Sequence, residues 1–280
     1  MILGRMVKFS HTVFALPFAL SAVVLAWPGH DVTWLDVVFI LTAMVGARSA
    51  AMGFNRLADA EIDKKNPRTS GREIPSGALS RTGVAVFVFV SGTVFVLSAA
   101  MLSRLCLFLS LPVLLFLFFY SYTKRFTKYC HIYLGIAIAL APAGAWIAVS
   151  GSLSWSAVFL SLALMTYISG FDILYGCQDI EFDRAEGLCS IPAELGVHKA
   201  MVLSSVLHAL TILFLLLMHI VYGMHPVFYI FLGLISVLLV IEHLLVRPGN
   251  LDHINIAFFH VNSVVSVVLL AGILIEALAG

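Results

Sequence analysis

Asn55, Asp59 and Asp63, in "NRLADAEID", stand four residues apart at the end of a long apolar run. A second set, Asp172, Tyr175, Asp179 and Asp183 in "DILYGCQDIEFD", follows another apolar run at spacings of 3, 4 and 4. On a helix, residues four apart share a face, drifting by about 40° per step. Each set therefore reads as one acidic stripe. Arg48 precedes Asn55 by seven residues, as Asp172 precedes Asp179. It falls on the same stripe about 10 Å deeper at about 1.5 Å per residue. Ionisable groups at membrane depth face a cavity or each other. Two carboxylate sets suit Mg²⁺, which keeps waters and bridges to substrate phosphates. Neighbouring Arg and Lys supply the charge-assisted hydrogen bonds that a diphosphate needs.

The elements that must position these groups follow from composition. Of 280 residues, 61% are hydrophobic and 11% charged, with mean hydropathy +1.04, so the lipid bilayer is the solvent. Apolar windows appear near 11–27, 34–53, 82–103, 105–122, 132–150, 154–174, 200–222, 227–246 and 255–275. Free backbone groups cannot be satisfied in lipid, so each window predicts a helix. The expected fold is all-α, a polytopic membrane protein with nine transmembrane helices in one bundle. The basic start and apolar run of the N-terminus read as an uncleaved first helix rather than a signal peptide.

Topology follows from the 16 Lys and Arg residues. Arg5 and Lys8, then the loops after helices 2, 4, 6 and 8, hold all of them except Arg48, within a helix, and Arg104. The positive-inside rule places the N-terminus and the acidic loops in the cytoplasm. The matched stripes suggest a single domain, 1–280, made of two pseudo-repeats, roughly 1–128 and 129–280. A cation transporter is the competing reading, but it calls for acids near mid-bilayer, and both stripes open to one side. A purely structural protein would tolerate loss of either stripe. The four cysteines lack metal-ligand spacing and imply neither disulfide nor zinc.

At these residues the chain resembles the UbiA superfamily of intramembrane prenyltransferases. That family carries N-D-x-x-D-x-x-x-D after helix 2, Y-x-x-x-K after helix 4 and a D-x-x-D-like motif after helix 6. "NRLADAEID", "YSYTK" (Tyr120 and Lys124) and "DILYGCQDIEFD" match them in order, and "REIPSG" at 72–77 resembles the loop after the first motif. The resemblance implies Mg²⁺ held by Asp59, Asp63, Asp179 and Asp183, binding a polyprenyl diphosphate together with Asn55. It also implies that Arg68, Arg72, Lys124 and Arg56 neutralise the leaving group. Tyr120 and Tyr175 would line a dry site for the allyl cation. Arg56 departs from the family, standing where an aspartate is usual; it lies about 20° from Asp63 by helical angle.

The implied activity is prenylation of an aromatic acid such as 4-hydroxybenzoate in ubiquinone or menaquinone biosynthesis. It is placed in a bacterial inner membrane, with the active site facing the cytoplasm and no nucleic acid as partner. The Arg56 variant is similar to a bacterial subgroup that also includes members acting on a dihydroxynaphthoate, which keeps 1,4-dihydroxy-6-naphthoate as an alternative acceptor. Asp172 is expected to pair with Arg48 at equal depth or to act on the acceptor's hydroxyl. Arg48 is alternatively a ligand for the acceptor's carboxylate. Asn255, His260 and Asn262 sit in the last run, where interhelical hydrogen bonding is the default and an acceptor contact at Asn262 is the sharper alternative. His208, His219 and His243 read as satisfied core or interfacial residues.

Overall fold

Thr33, Ser80, Ser154 and Ser190 each start a helix with a side-chain oxygen that accepts from a backbone N–H of the first turn. A computed structural model describes residues 2–247 and 254–279, and at 9–11, 255, 258 and 279 the backbone alone. The side chain of Asn255 thus lies outside the described ones. The fold is all-helical, in the order α1 (Ile2–Met6), α2 (Leu16–Ala26), α3 (Trp34–Ala58), α4 (Ala60–Lys65), α5 (Arg81–Leu102), α6 (Arg104–Thr123) and α7 (Cys130–Ser150). There follow α8 (Trp155–Gly176), α9 (Ile180–Ala185), α10 (Ile191–Leu195), α11 (Val197–Tyr222), α12 (Phe228–Leu245), α13 (Ile254–Ile256) and α14 (Asn262–Ala279).

Among the described residues, eight helices are long and apolar enough to cross a membrane. The ninth expected span is shorter. Residues Phe9–Phe14 form a 3₁₀ turn, and α2 has only 11 residues with Pro17 in its first turn. Proline has no N–H to give, so it starts a helix rather than continuing one. At about 1.5 Å per residue α2 falls well short of a 30 Å hydrocarbon layer.

The chain divides into two compact units. Unit 1 comprises Met1–Thr12 and Val32–Thr123; unit 2 comprises Val13–Asp31 and Lys124–Gly280. In unit 1, α3 opens with a reciprocal cap between Thr33 and Asp36, and it packs chiefly on α5. Gly46 permits that approach, because a Cβ there would lie 2.8 Å from the Phe95 nitrogen and 2.9 Å from the Ser91 carbonyl oxygen. In unit 2, α8 is the central helix, packed against α7 and α11, and its side chains from Ser156 to Leu174 are largely buried. Gly135 of α7 plays the corresponding part: its Cβ would stand 2.4 Å from the Met165 carbonyl oxygen of α8. In each unit a glycine sets how closely the acidic helix meets its neighbour.

Candidate active site

The unit 1 motif begins as an α-helix and then bends. Asp59 leaves helical geometry (φ −98°, ψ 5°), ending α3, and α4 restarts at Ala60. The ladder survives the bend: the Asp59 N–H donates to Asn55 O at 2.9 Å, and the Asp63 N–H to Asp59 O at 2.7 Å. The four-residue stripe is thus real but kinked at its middle acid. Asn55 donates its amide to the Asp59 carboxylate at 2.7 Å. Asp63 is buried, and both its carboxylate oxygens accept from Arg72 Nη1 of the following loop at 2.7 Å. The Thr69 hydroxyl donates to the Asp63 carbonyl, pinning the loop that carries Arg68 and Arg72.

The N-terminal segment closes this cluster through its carbonyls. Arg56 is 3% exposed and donates to Met6 O at 3.4 Å, with its buried Nε unpartnered. Arg48, expected to pair with Asp172 or to take the acceptor's carboxylate, donates to Lys8 O at 3.2 Å, and its Nε too is buried without a partner. Met6 and Val7 pack with Val84 and Val88. Lys8 is thereby held among cations. Burial, and then the charges of Arg72, Arg56 and Arg68, push its ammonium down to about 8, with Glu73 pulling the other way. Cations compressed in this way favour an anion of high charge.

Unit 2 repeats the turn. Asp179 has the conformation of Asp59 (φ −102°, ψ 5°) and separates a short 3₁₀ turn after α8 from α9. Four residues on, Asp183 is fully buried, with Lys124 Nζ at 2.7 Å and the Ser190 hydroxyl donating at 2.8 Å. The Cys189 N–H donates to Lys124 O at 2.7 Å, fixing the backbone from which the lysine reaches. Asp172 accepts from His131 Nδ1 at 2.7 Å. Tyr175 is half-buried and packs on the cluster of Leu174, Met201 and Ala257. Asn262 is buried, its amide donating to Glu242 at 3.1 Å, in keeping with interhelical bonding. His208 and His243 join that network at 3.0 Å.

The structure thus groups Asn55 with Asp59, and Asp63 with Arg72, in one unit, and Lys124 with Asp183 in the other. Tyr120 lies half-buried on α6, its carbonyl capped by the Thr123 hydroxyl. Arg68 is exposed, with its N–H on the Asn66 side-chain oxygen at 2.9 Å. Two participants escaped the sequence reading. Lys8 was read for topology alone; its proximity to two membrane arginines is a tertiary fact. His131 stands in the first turn of α7, four residues before Gly135, and that small-residue spacing was its signal.

The donor set suits a hard divalent ion, since it consists of carboxylate and amide oxygens. Asp63 and Asp183 already share their charge with Arg72 and Lys124. Among the described residues, no three His, Cys, Asp or Glu side chains are grouped to hold a metal by themselves. Water and phosphate oxygens are the usual complement of Mg²⁺ in such open sites.

The chain is similar to known proteins over nearly its whole length. The chain is 28% identical to 4-hydroxybenzoate octaprenyltransferase of Vibrio campbellii, over 98% of this chain and 93% of that one. The apo structure of a UbiA homolog from Aeropyrum pernix K1 matches with a TM-score of 0.86 at 30% identity, covering 95% of this chain and 98% of that one. A UbiA homolog from Archaeoglobus fulgidus, solved bound to DMAPP and Mg²⁺, shares the fold with a TM-score of 0.77 at 17% identity and 100% coverage of both chains. The model of the UbiA prenyltransferase family matches residues 15–264, and the chain belongs to that family.

Proposed function

We propose that this protein is a membrane prenyltransferase that moves a polyprenyl group from its diphosphate to an aromatic acid, such as 4-hydroxybenzoate, in quinone biosynthesis. The observation that carries this reading is the recurrence of one kinked acidic turn. In each unit of a UbiA-family chain, the acid four residues past the kink is clasped by a cation. The name of the Vibrio relative supports the acceptor class. The lysine and arginine asymmetry supports a cytoplasmic site, and the bacterial relatives an inner membrane.

Asp59, Asp63, Asp179 and Asp183 would hold Mg²⁺, as the donor chemistry allows and as the Archaeoglobus homolog's bound ion suggests. When bound, the ion neutralises the diphosphate. Arg68, Arg72, Lys124 and Lys8 add fixed positive charge as the allylic C–O bond breaks and its electron pair leaves with the diphosphate. Buried Arg56 contributes field from behind rather than contact. Tyr120 and Tyr175 present ring faces to the allyl cation and exclude water. The acceptor's ring supplies the pair for the new C–C bond and then loses the proton from that carbon to the released diphosphate. Arg48 takes the acceptor's carboxylate, and Asp172 accepts a hydrogen bond from its hydroxyl, enriching the ring.

Purified protein in lipid, with Mg²⁺ and labelled polyprenyl diphosphate, should prenylate 4-hydroxybenzoate and release diphosphate, and chelation should stop both. Transfer to 1,4-dihydroxy-6-naphthoate alone would redirect the acceptor. Transfer to neither would sink the aromatic-acid assignment.

A further inference from the structure

We propose that His131 is the positioning residue for Asp172, holding that carboxylate in the orientation from which it meets the acceptor's hydroxyl. The inference rests on the role given to Asp172 above. His131 and Asp172 face each other because α7 and α8 run in contact through small residues. One turn along from the pair, Gly135 packs so tightly that a Cβ would come 2.1 Å from the Ser169 hydroxyl oxygen and 2.4 Å from the Met165 carbonyl oxygen. One turn the other way, Gly176 leaves room for the imidazole edge, as a Cβ there would meet His131 Cε1 at 2.9 Å. Glycines on both sides thus form a fitted slot for one ring.

The ring is oriented within that slot. Nδ1 lies 2.7 Å from Asp172 Oδ2, while Nε2 is buried without a partner. The side chain of His131 is 6% exposed, against 20% for Asp172. The histidine is the buried member and the carboxylate the accessible one. An Nδ1–H donor consumes one carboxylate oxygen and fixes the rotamer, leaving the rest of the group to a substrate. A half-buried carboxylate is otherwise free to turn about its side-chain bonds, and this hydrogen bond holds its angle. Orientation of this kind changes turnover more than binding, because a misplaced acceptor atom loses the transition-state hydrogen bond first.

The test compares turnover and binding across five variants in lipid. His131→Ala should lower kcat about 100-fold, a typical value for a positioned proton-handling group. KM for the polyprenyl diphosphate should change by less than about twofold. His131→Asn places an amide nitrogen the same number of bonds from Cα as Nδ1, and it should recover most of the loss. His131→Gln carries its nitrogen one bond farther and should stay near the alanine level. In an Asp172→Ala background, His131→Ala should add no further loss, since the histidine acts through that carboxylate. Wild-type turnover in His131→Ala, or an asparagine variant no better than glutamine, overturns the proposal. If His131→Ala fails to fold, the Asn and Gln pair, matched for thermal stability, decides the question. Wild-type turnover in Asp172→Ala would instead remove the role assigned to Asp172 itself.

Discussion

The acidic turns of units 1 and 2 have one backbone and two different chemical surroundings. Asp59 and Asp179 share a kink to within a few degrees, and each is followed four residues later by a buried, ion-paired aspartate. In unit 1 the clasp is Arg72, from the loop just past α4, whose Nη1 reaches both oxygens of the aspartate. In unit 2 it is Lys124, brought in from the segment before α7 and steadied by Cys189. One turn before the kink stands Asn55 in unit 1 and the aromatic Tyr175 in unit 2. Unit 1 also gathers Lys8, Arg56 and Arg68 near its clasp. The same turn thus lies once among additional cations and once in a rigid setting beside an aromatic side chain. Rigidity matters because misplacing a charged group by a small distance costs more rate than weakening its binding does.

The sharpest way to break the parallel is to remove the kink acids one at a time. Asp59→Ala and Asp179→Ala should each lower diphosphate release by about 100- to 1000-fold, the scale for loss of one fixed electrostatic contact at a reacting centre. Thermal unfolding should move little for Asp59, which is only half-buried, and more for Asp179, which is buried like the aspartate that follows it. If one loses activity and the other retains it, the two turns do not share a function.

The clasps should differ in the opposite sense. Lys124→Met strands a fully buried Asp183, and because the lysine itself is partly exposed the cost should be about 2 kcal/mol, below the full range for a buried pair. Asp183→Asn in the same chain should restore most of it. Arg72→Met leaves Asp63 with a 7% exposed side chain and the Thr69-pinned loop, so its stability loss should be smaller and its loss of donor binding larger. Denaturation in detergent together with donor titration separates the two. Ser190→Ala sharpens the unit 2 side further. It removes both the hydroxyl on Asp183 and the N-cap of α10, for about 1 kcal/mol. The corresponding loop residue of unit 1, Thr69, bonds a carbonyl instead of the acid, so Thr69→Val should cost less.

Much of this was legible in the chain, and the failures have physical causes. Apolar runs predicted the long helices because lipid leaves the backbone no other choice. The run at 11–27 misled because it holds Pro17, whose missing N–H confines the regular helix to Leu16–Ala26. The four-residue spacing found both acidic stripes, yet not the kinks, since Asp59 keeps its i−4 hydrogen bond while leaving helical φ and ψ. Arg72 and Lys124 were legible as cations near a diphosphate. Their direct pairing with Asp63 and Asp183 was not, because it depends on how the loops return. His131 and Lys8 were missed for the same reason: each owes its place to a neighbouring segment rather than to its own periodicity.

The smallest expected effect tests the cation-rich turn of unit 1 alone. Lys8 titrates at about 8, lowered first by burial and then by Arg72, Arg56 and Arg68. Because its folded value lies below the unfolded one, the unfolded chain holds the extra proton between about 8 and 10.5, and folding gains from raising the pH through that window. Donor binding should run the other way. Below 8 the ammonium is charged and attracts diphosphate; above it, the charge and part of the affinity are lost. Bound anion should raise the titration point, so donor binding near pH 8.5 should take up a proportion of a proton, measurable by calorimetry in buffers of different ionisation enthalpy. Lys8→Met should weaken donor binding about fivefold at pH 7, in line with one partly screened charge contact. It should also flatten the fall above pH 8. An unchanged pH profile in that variant would return Lys8 to topology alone and leave Arg68 and Arg72 as the cations of the unit 1 turn.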